Sequence, residues 1–310
     1  MPTATVWTLA NRRAVDLNRP RVVAILNATP DSFYDGGQLP DAQTALARAR
    51  EAVHQGAAML DIGGESTRPG AARIHARDQI TRVVPIIQAI RACDDPAVAN
   101  IPISVDTTLS EVAQVAIDAG ADAINDVSGA SEDVHLLEVA ARTGAGLVLM
   151  HRGPTPPNDR YADEYEHEPV YEGGVVAAVR ASLQAQARRA LAAGIARTAL
   201  VIDPGLGFGK SVAQNMALVC ATPALAASGL PVYLGASRKR FVGRVSLGRS
   251  SEPSERLPGS IALTVLSALG GARLHRVHDV AEHVQALSVV ESWNATSPEA
   301  VYRGNNPAGA

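Results

Sequence analysis

Eight short apolar runs recur along this chain, each leading through a polar loop into an amphipathic helical pattern. They cover residues 22–27, 58–63, 101–107, 123–128, 146–151, 200–205, 232–237 and 273–278. Runs this short and this continuously apolar suit parallel strands buried on both faces, with the intervening helices covering one of those faces. One such pattern sets Val176, Val179, Leu183 and Ala190 on a single helix face. Gly56, Gly120, Gly144, Gly194 and Gly229 stand where helices should stop before the next strand. A doubly wound sheet is the competing arrangement. The count of eight, with no clustered glycine turn of the dinucleotide-binding kind, predicts an α/β fold with a single (β/α)8 TIM barrel.

The chain's 310 residues fit one barrel, and a hydrophobic content of 46% with mean hydropathy +0.04 can fill its core. Loose alternation over residues 6–17, around Asn11, Arg12 and Arg13, predicts a hairpin ahead of the barrel. The expected layout is an N-terminal extension over 1–20, the barrel over 21–293 and a flexible tail over 294–310. Residues 152–172 form a long, proline-rich and charged rim loop after the fifth strand.

A net charge of -3 and a pI near 6.2 leave no basic footprint for nucleic acid. No apolar run reaches the roughly 18 residues of a membrane span, and the N-terminus lacks a signal-peptide core. Cys93 and Cys220 are the only cysteines, too few for a disulfide framework, so a reducing cytoplasm is expected.

Barrels of this class build ligand sites at the C-terminal ends of their strands. Those ends here carry Asn27, Asp61, Asp106, Asn125, Met150, Asp203, Ser237 with Lys239, and Arg276 with His278. In VIDPGLGFGK, Asp203 ends a strand just where Pro204, Gly205, Gly207 and Gly209 build a turn. A carboxylate there offers two acceptors to a ligand edge with paired N–H donors. Asp106, Asn125, Asp203 and Lys239 together can read a flat heterocycle, with Met150 and Phe208 placed to sandwich the ring. Arg276 and His278 form a cationic pair suited to phosphate, and Asp279 can cap the helix that follows. Arg68 is a further anion-binding candidate. Asn27 supplies one neutral oxygen, enough for Mg²⁺ only if a diphosphate completes the shell. Loops 27–37 and 63–74 carry glycines, prolines and hydroxyls, a mobile-lid composition. Neither cysteine lies at a strand end, and no Ser, His and acid set stands out as a catalytic nucleophile.

LNATPDSFYDGG, DIGGESTRPG, SVDT, INDVSG, MH, DPGLGFGK, SRKRF and RVHDV follow one another in this order. In that order they resemble dihydropteroate synthase, a folate-pathway transferase and sulfonamide target, over about residues 6–292. The resemblance implies condensation of 6-hydroxymethyl-7,8-dihydropterin diphosphate with 4-aminobenzoate, using Mg²⁺, in a cytoplasmic homodimer paired through its late helices. By matching motif, the pterin falls to Asp106, Asn125, Met150, Asp203, Phe208 and Lys239. The diphosphate falls to Asn27, Arg68, Arg276 and His278, with Asn27 on the metal. The aminobenzoate falls to Thr67, Arg68, Pro69, Phe208 and Ser237. Asn27, Arg68, Lys239, Arg276 and His278 then form the catalytic set, and aminobenzoate should bind after the pterin diphosphate has ordered both loops. The chain departs from the commonest pattern at MHRGPTPP, at Leu206 and at His275.

Overall fold

A computed structural model describes residues 5–28 and 42–296. Most of the first lid loop, and the expected 294–310 tail apart from residues 294–296, which instead end the helix Val280–Thr296, lie outside the described residues. Strands β1 (Val6–Thr8) and β2 (Ala14–Asp16) pair antiparallel as the expected hairpin. Eight parallel strands follow: β3 (Arg21–Asn27), β4 (Met59–Gly63), β5 (Ile103–Asp106), β6 (Ala123–Asp126), β7 (Gly146–Met150), β8 (Leu200–Asp203), β9 (Tyr233–Leu234) and β10 (Leu274–Val277). Their order runs β8-β7-β6-β5-β4-β3-β10-β9, and a parallel bridge between Ile202 and Val232 joins the two ends. The barrel is closed. β9 is shorter than the predicted run because the chain leaves the ladder at Gly235 to form the turn that carries Ser237 to Lys239.

Alternation along the strands separates two cores. Outward residues such as Val22, Leu60, Ile103, Leu147 and Ile202 pack beneath the helices. Inward Val23, Met59, Ala123, Val148, Val201, Tyr233 and Leu274 meet Trp7, Leu9, Val15 and Leu17 of the hairpin, which closes the N-terminal end of the barrel. The fit leaves no room at Gly146, where a Cβ would lie 2.5 Å from Leu9 Cδ2. Asp122, fully buried, fixes the plug from the side by accepting from Arg13 Nη1 (2.8 Å), Arg91 Nη2 (2.6 Å) and Asn11 Nδ2 (3.2 Å). Two residues further along four of these inward rows the side chains turn polar: Asp61, Asn125, Asp203 and Arg276 sit one step above this apolar floor. The same period that fills the barrel therefore delivers functional groups to its opposite mouth.

The five stop glycines all adopt left-handed φ, from 69° at Gly144 to 113° at Gly120. The long helix Val175–Ala192 buries Val175, Val179, Leu183, Ala187 and Ala190, so Val175 rather than Val176 opens its inner face. Both cysteines are unpaired. Among the described residues no helix is long and apolar enough to cross a membrane.

Candidate active site

The turn after β8 is held from three directions. Asp203 Oδ1 accepts from Gly205 N at 2.7 Å, closing the first step. Gly205 has φ of +69°, and a Cβ there would fall 1.9 Å from the His151 carbonyl oxygen, so the turn admits no other residue without moving β7. Beneath it Lys210, with 1% of its surface exposed, donates Nζ to Gly205 O (2.8 Å), Phe208 O (2.7 Å) and His151 O (3.3 Å). Burial pushes that amine down to about 7, opposed by Asp203. Sequence reasoning gave Lys210 no role; its only signal was a lysine closing a glycine-rich turn. The loop expected as a rim, 152–172, is part of this support. Asp159 accepts from Gly209 N (3.1 Å), Tyr171 donates to Gly209 O (2.7 Å), and Glu168 accepts from Ser211 (2.5 Å).

Asp203 Oδ2 accepts no hydrogen bond among the described residues. Burial raises the Asp203 carboxyl against the pull of Lys239. Lys239 is in turn lowered to about 8 by burial, with Asp203 resisting. Its ammonium donates to Leu206 O and lies 4.3 Å from the Phe208 ring centroid, so one face of Phe208 is taken by a cation. Met150 is buried at the end of β7.

At the centre of the mouth Arg276 donates Nε to Asp61 (2.6 Å) and Nη2 to Asp106 (2.9 Å). Asp61 also accepts from Ser104 Oγ (2.5 Å) and Asn125 Nδ2 (3.1 Å). Sequence reasoning saw Asp61 at a strand end and assigned it nothing, yet it ties Arg276 to Asn125. Burial works against the Arg276 charge, but Asp61 and Asp106 outweigh it and hold the guanidinium above its ordinary value. Burial pushes Asp106 up to about 7, opposed by Arg276 and reinforced by Asp61.

His278 is exposed at the cavity mouth; the packed surroundings of its ring, then the nearby Arg276, lower its imidazole from the ordinary value, so Arg276 is the firmer charge of the pair. Its Nδ1 lies 3.1 Å from Ser237 Oγ, which also accepts from His278 N at 3.2 Å. Asp279 is likewise not a free helix cap: Arg238 grips both of its oxygens. Arg238 has φ of +59° and its side chain reaches Asp279; Ser237, Arg238 and Lys239 all line the mouth.

In loop 63–74, Arg68 is exposed and donates to no described residue through its guanidinium. Thr67 and Pro69 flank it. A single cavity of about 1450 Å³ unites the mouth, and every residue assigned above to a substrate, from Asn27 to His278, lines it. The acids Asp106 and Asp203 and the amide Asn125 are buried in this lining, while Arg68 and His278 are exposed. That separation suits a flat polar ring below and an anion with a second aromatic acid above.

A barrel with this polar mouth defines a class. The family model described as pterin binding enzyme matches residues 23–278, and the chain belongs to that family. It is 42% identical to the dihydropteroate synthase of Mycobacterium leprae over 282 residues, covering 90% of this chain and 95% of the relative. The Escherichia coli enzyme of the same name is 39% identical, with 91% and 95% covered. The solved Xanthomonas albilineans dihydropteroate synthase with 4-aminobenzoic acid superposes with a TM-score of 0.82 at 40% identity, covering 95% of this chain and all of that one (100%). Its complex with 7,8-dihydropteroate gives 0.78 at 37% identity, with 93% and 100% covered. Within the pterin-binding enzymes the chain therefore belongs to the dihydropteroate synthases. A Mycobacterium leprae protein named inactive dihydropteroate synthase 2 is also 39% identical, with 92% and 94% covered, so overall likeness does not separate active from inactive members.

Proposed function

We propose that this chain condenses 6-hydroxymethyl-7,8-dihydropterin diphosphate with 4-aminobenzoate, releasing diphosphate and 7,8-dihydropteroate. The observation that carries the reading is the single cavity joining Asp106, Asn125, Asp203 and Lys239 to Arg68, Ser237, Arg276 and His278. The floor residues bind the pterin through its N–H and carbonyl groups. Arg68, Arg276 and His278 hold the diphosphate. Thr67, Pro69, Phe208 and Ser237 seat the aminobenzoate. The C–O bond to diphosphate breaks first, giving a pterin-stabilised cation, and the arylamine adds as a free base. Positioning and a developing negative charge met by Arg276 then account for the rate without a protein nucleophile.

Among the described residues no group of three His, Cys, Asp or Glu could hold a metal. Asn27, half-buried on the cavity wall, fits Mg²⁺ only as one ligand beside diphosphate oxygens. When bound there, Mg²⁺ neutralises charge on the departing diphosphate. Residues 21–293 act as one catalytic unit, in the cytoplasm. Val245, Leu247, Leu266, Leu269, Val289 and Trp293 are exposed on the late helices, which supports a homodimer formed through them. Light scattering should give twice the 32.3 kDa chain mass; a monomer at micromolar concentration removes that part of the reading.

The direct test measures diphosphate release with pterin diphosphate and Mg²⁺, with and without 4-aminobenzoate, and identifies the product by mass. Aminobenzoate-dependent release with dihydropteroate formed is expected. Pterin binding without turnover would class the chain with inactive relatives.

Asp106 sets the pH dependence. Its ionised form accepts the pterin N–H, and its value near 7 lies well above the ordinary 3.8. As pH falls through about 7, kcat/KM for pterin diphosphate should decline with unit slope. The folding contribution has the opposite sign: a carboxyl raised in the fold adds stability as pH falls toward its unfolded value. Activity and thermal stability should therefore diverge between about pH 7 and 5. A profile flat to pH 5 would mean that Arg276 keeps Asp106 ionised throughout.

A further inference from the structure

We infer that Glu132 is a positioning residue, fixing the neck of loop 63–74 and so holding the aminobenzoate side of the cavity in place. The inference rests on the synthase reading for its substrate, and on geometry for its mechanism. Loop 63–74 has the composition of a mobile lid, yet its two ends are clipped together. Glu65 Oε1 accepts from Arg73 Nε (2.9 Å) and from Ile74 N (2.9 Å). Between these ends the loop carries Thr67, Arg68 and Pro69 to the cavity wall.

The clip is bolted to three other strand-end loops. Arg73 donates Nη1 to Glu132 Oε2 (2.6 Å) and Nη2 to Thr108 Oγ1 (2.8 Å), while Thr108 donates to the same Glu132 oxygen at 2.6 Å. The other oxygen, Oε1, accepts from Arg152 Nη2. One carboxylate thus joins the segments that follow β4, β5, β6 and β7. Glu132 and Arg152 are shielded, with side-chain exposures of 17% and 4%, so their attraction is screened less than that of a surface pair. Burial lowers Arg152, as does the neighbouring charge of Arg73, and Glu132 is the acid that meets both guanidinium groups. A second tie, from Gly70 N to Pro156 O at 2.8 Å, holds the loop's tip to the segment after β7.

A loop held before the ligand arrives need not be ordered by it, which lowers the entropic cost of binding. Glu132 does not line the cavity, so its effect passes through the loop. Loss of its charge should weaken aminobenzoate binding without touching the pterin floor, which is held separately by Asp61 and Arg276.

The test is Glu132→Gln, with Arg73→Met as a second variant acting from the more exposed end. In hydrogen exchange the Gly70 and Ile74 amides should exchange about tenfold faster in either variant, while strands β3 to β8 keep wild-type protection. In steady state KM for aminobenzoate should rise about tenfold, with kcat and KM for pterin diphosphate changed less than about twofold. The double variant should cost less than the sum of the two single ones, because both remove the Arg73–Glu132 contact. Unchanged exchange, or a fall in kcat with both KM values moving together, overturns the inference. A wild-type enzyme with no turnover would sink the synthase reading alone, since exchange still decides whether Glu132 holds the loop.

Discussion

Replacing Asp203 by Ala should reduce pterin affinity at least 10²-fold in calorimetry, a loss of about 2.7 kcal/mol or more. Two losses combine. The pterin forfeits a charge-assisted acceptor, in the range of about 1.5–3 kcal/mol for a bond to a charged group. Lys239 forfeits the acid that opposes its desolvation, so it drops below about 8 and is partly neutral when it should meet the ring. The turn itself should survive, since Lys210 still binds Gly205 O and Phe208 O and Asp159 still binds Gly209 N. Asp203→Asn sharpens the test: it preserves shape and an acceptor for Gly205 N but removes the charge. Loss of affinity in both variants, with little change in melting temperature for Asn, assigns the effect to the carboxylate. Near-native affinity in Asn would make Asp203 a turn residue and leave Asp106 as the ring's main acceptor.

How far such roles could be read in advance depends on the range of the interaction. The barrel was legible because each strand and each helix stop is written locally, in a run of apolar residues or a glycine at left-handed φ. The substrate residues were legible because strand ends in a barrel converge on one mouth, so that Asn27 and His278, distant in sequence, line the same cavity. Which neighbour each side chain faces was not. Asp61 and Arg276 are 215 positions apart, and only the parallel register across β4, β3 and β10 brings them to 2.6 Å. The lowering of the His278 imidazole is equally non-local, set by the packed surroundings of its ring and by the cation that this register places beside it. The 152–172 loop read as solvent-facing because its composition is polar, but composition does not reveal that Asp159 and Tyr171 satisfy the backbone of Gly209. The Glu132 bolt draws on Glu65, Arg73, Thr108 and Arg152, none of which is marked by local pattern.

Arg276 is where fold and reaction compete, and Arg276→Ala should show both roles. Among the described residues the substitution leaves Asp61, fully buried, with only Ser104 and Asn125 as side-chain donors, and leaves Asp106 with no cation at hydrogen-bond distance. Breaking a buried pair costs about 3–5 kcal/mol. The Arg276 side chain is 21% exposed, so we expect the low end, about 3 kcal/mol at neutral pH. Asp106, already raised by burial, loses the guanidinium that opposes the rise, and an acid raised in the fold recovers stability as pH falls. The melting-temperature deficit should thus be smaller at pH 5 than at pH 8. In kinetics kcat should fall about 10²-fold, as for loss of one preorganised donor to a developing oxyanion. Pterin affinity should fall about tenfold, through the disturbed Asp106. Arg276→Lys separates the roles: a point charge can steady the two acids, but it cannot reproduce the fork that grips both while still meeting diphosphate. Lysine should therefore restore much of the stability and little of the turnover. If lysine restores both, or if alanine lowers stability without lowering kcat, Arg276 is only the counter-ion of the pterin floor, and the departing diphosphate must be met by Arg68.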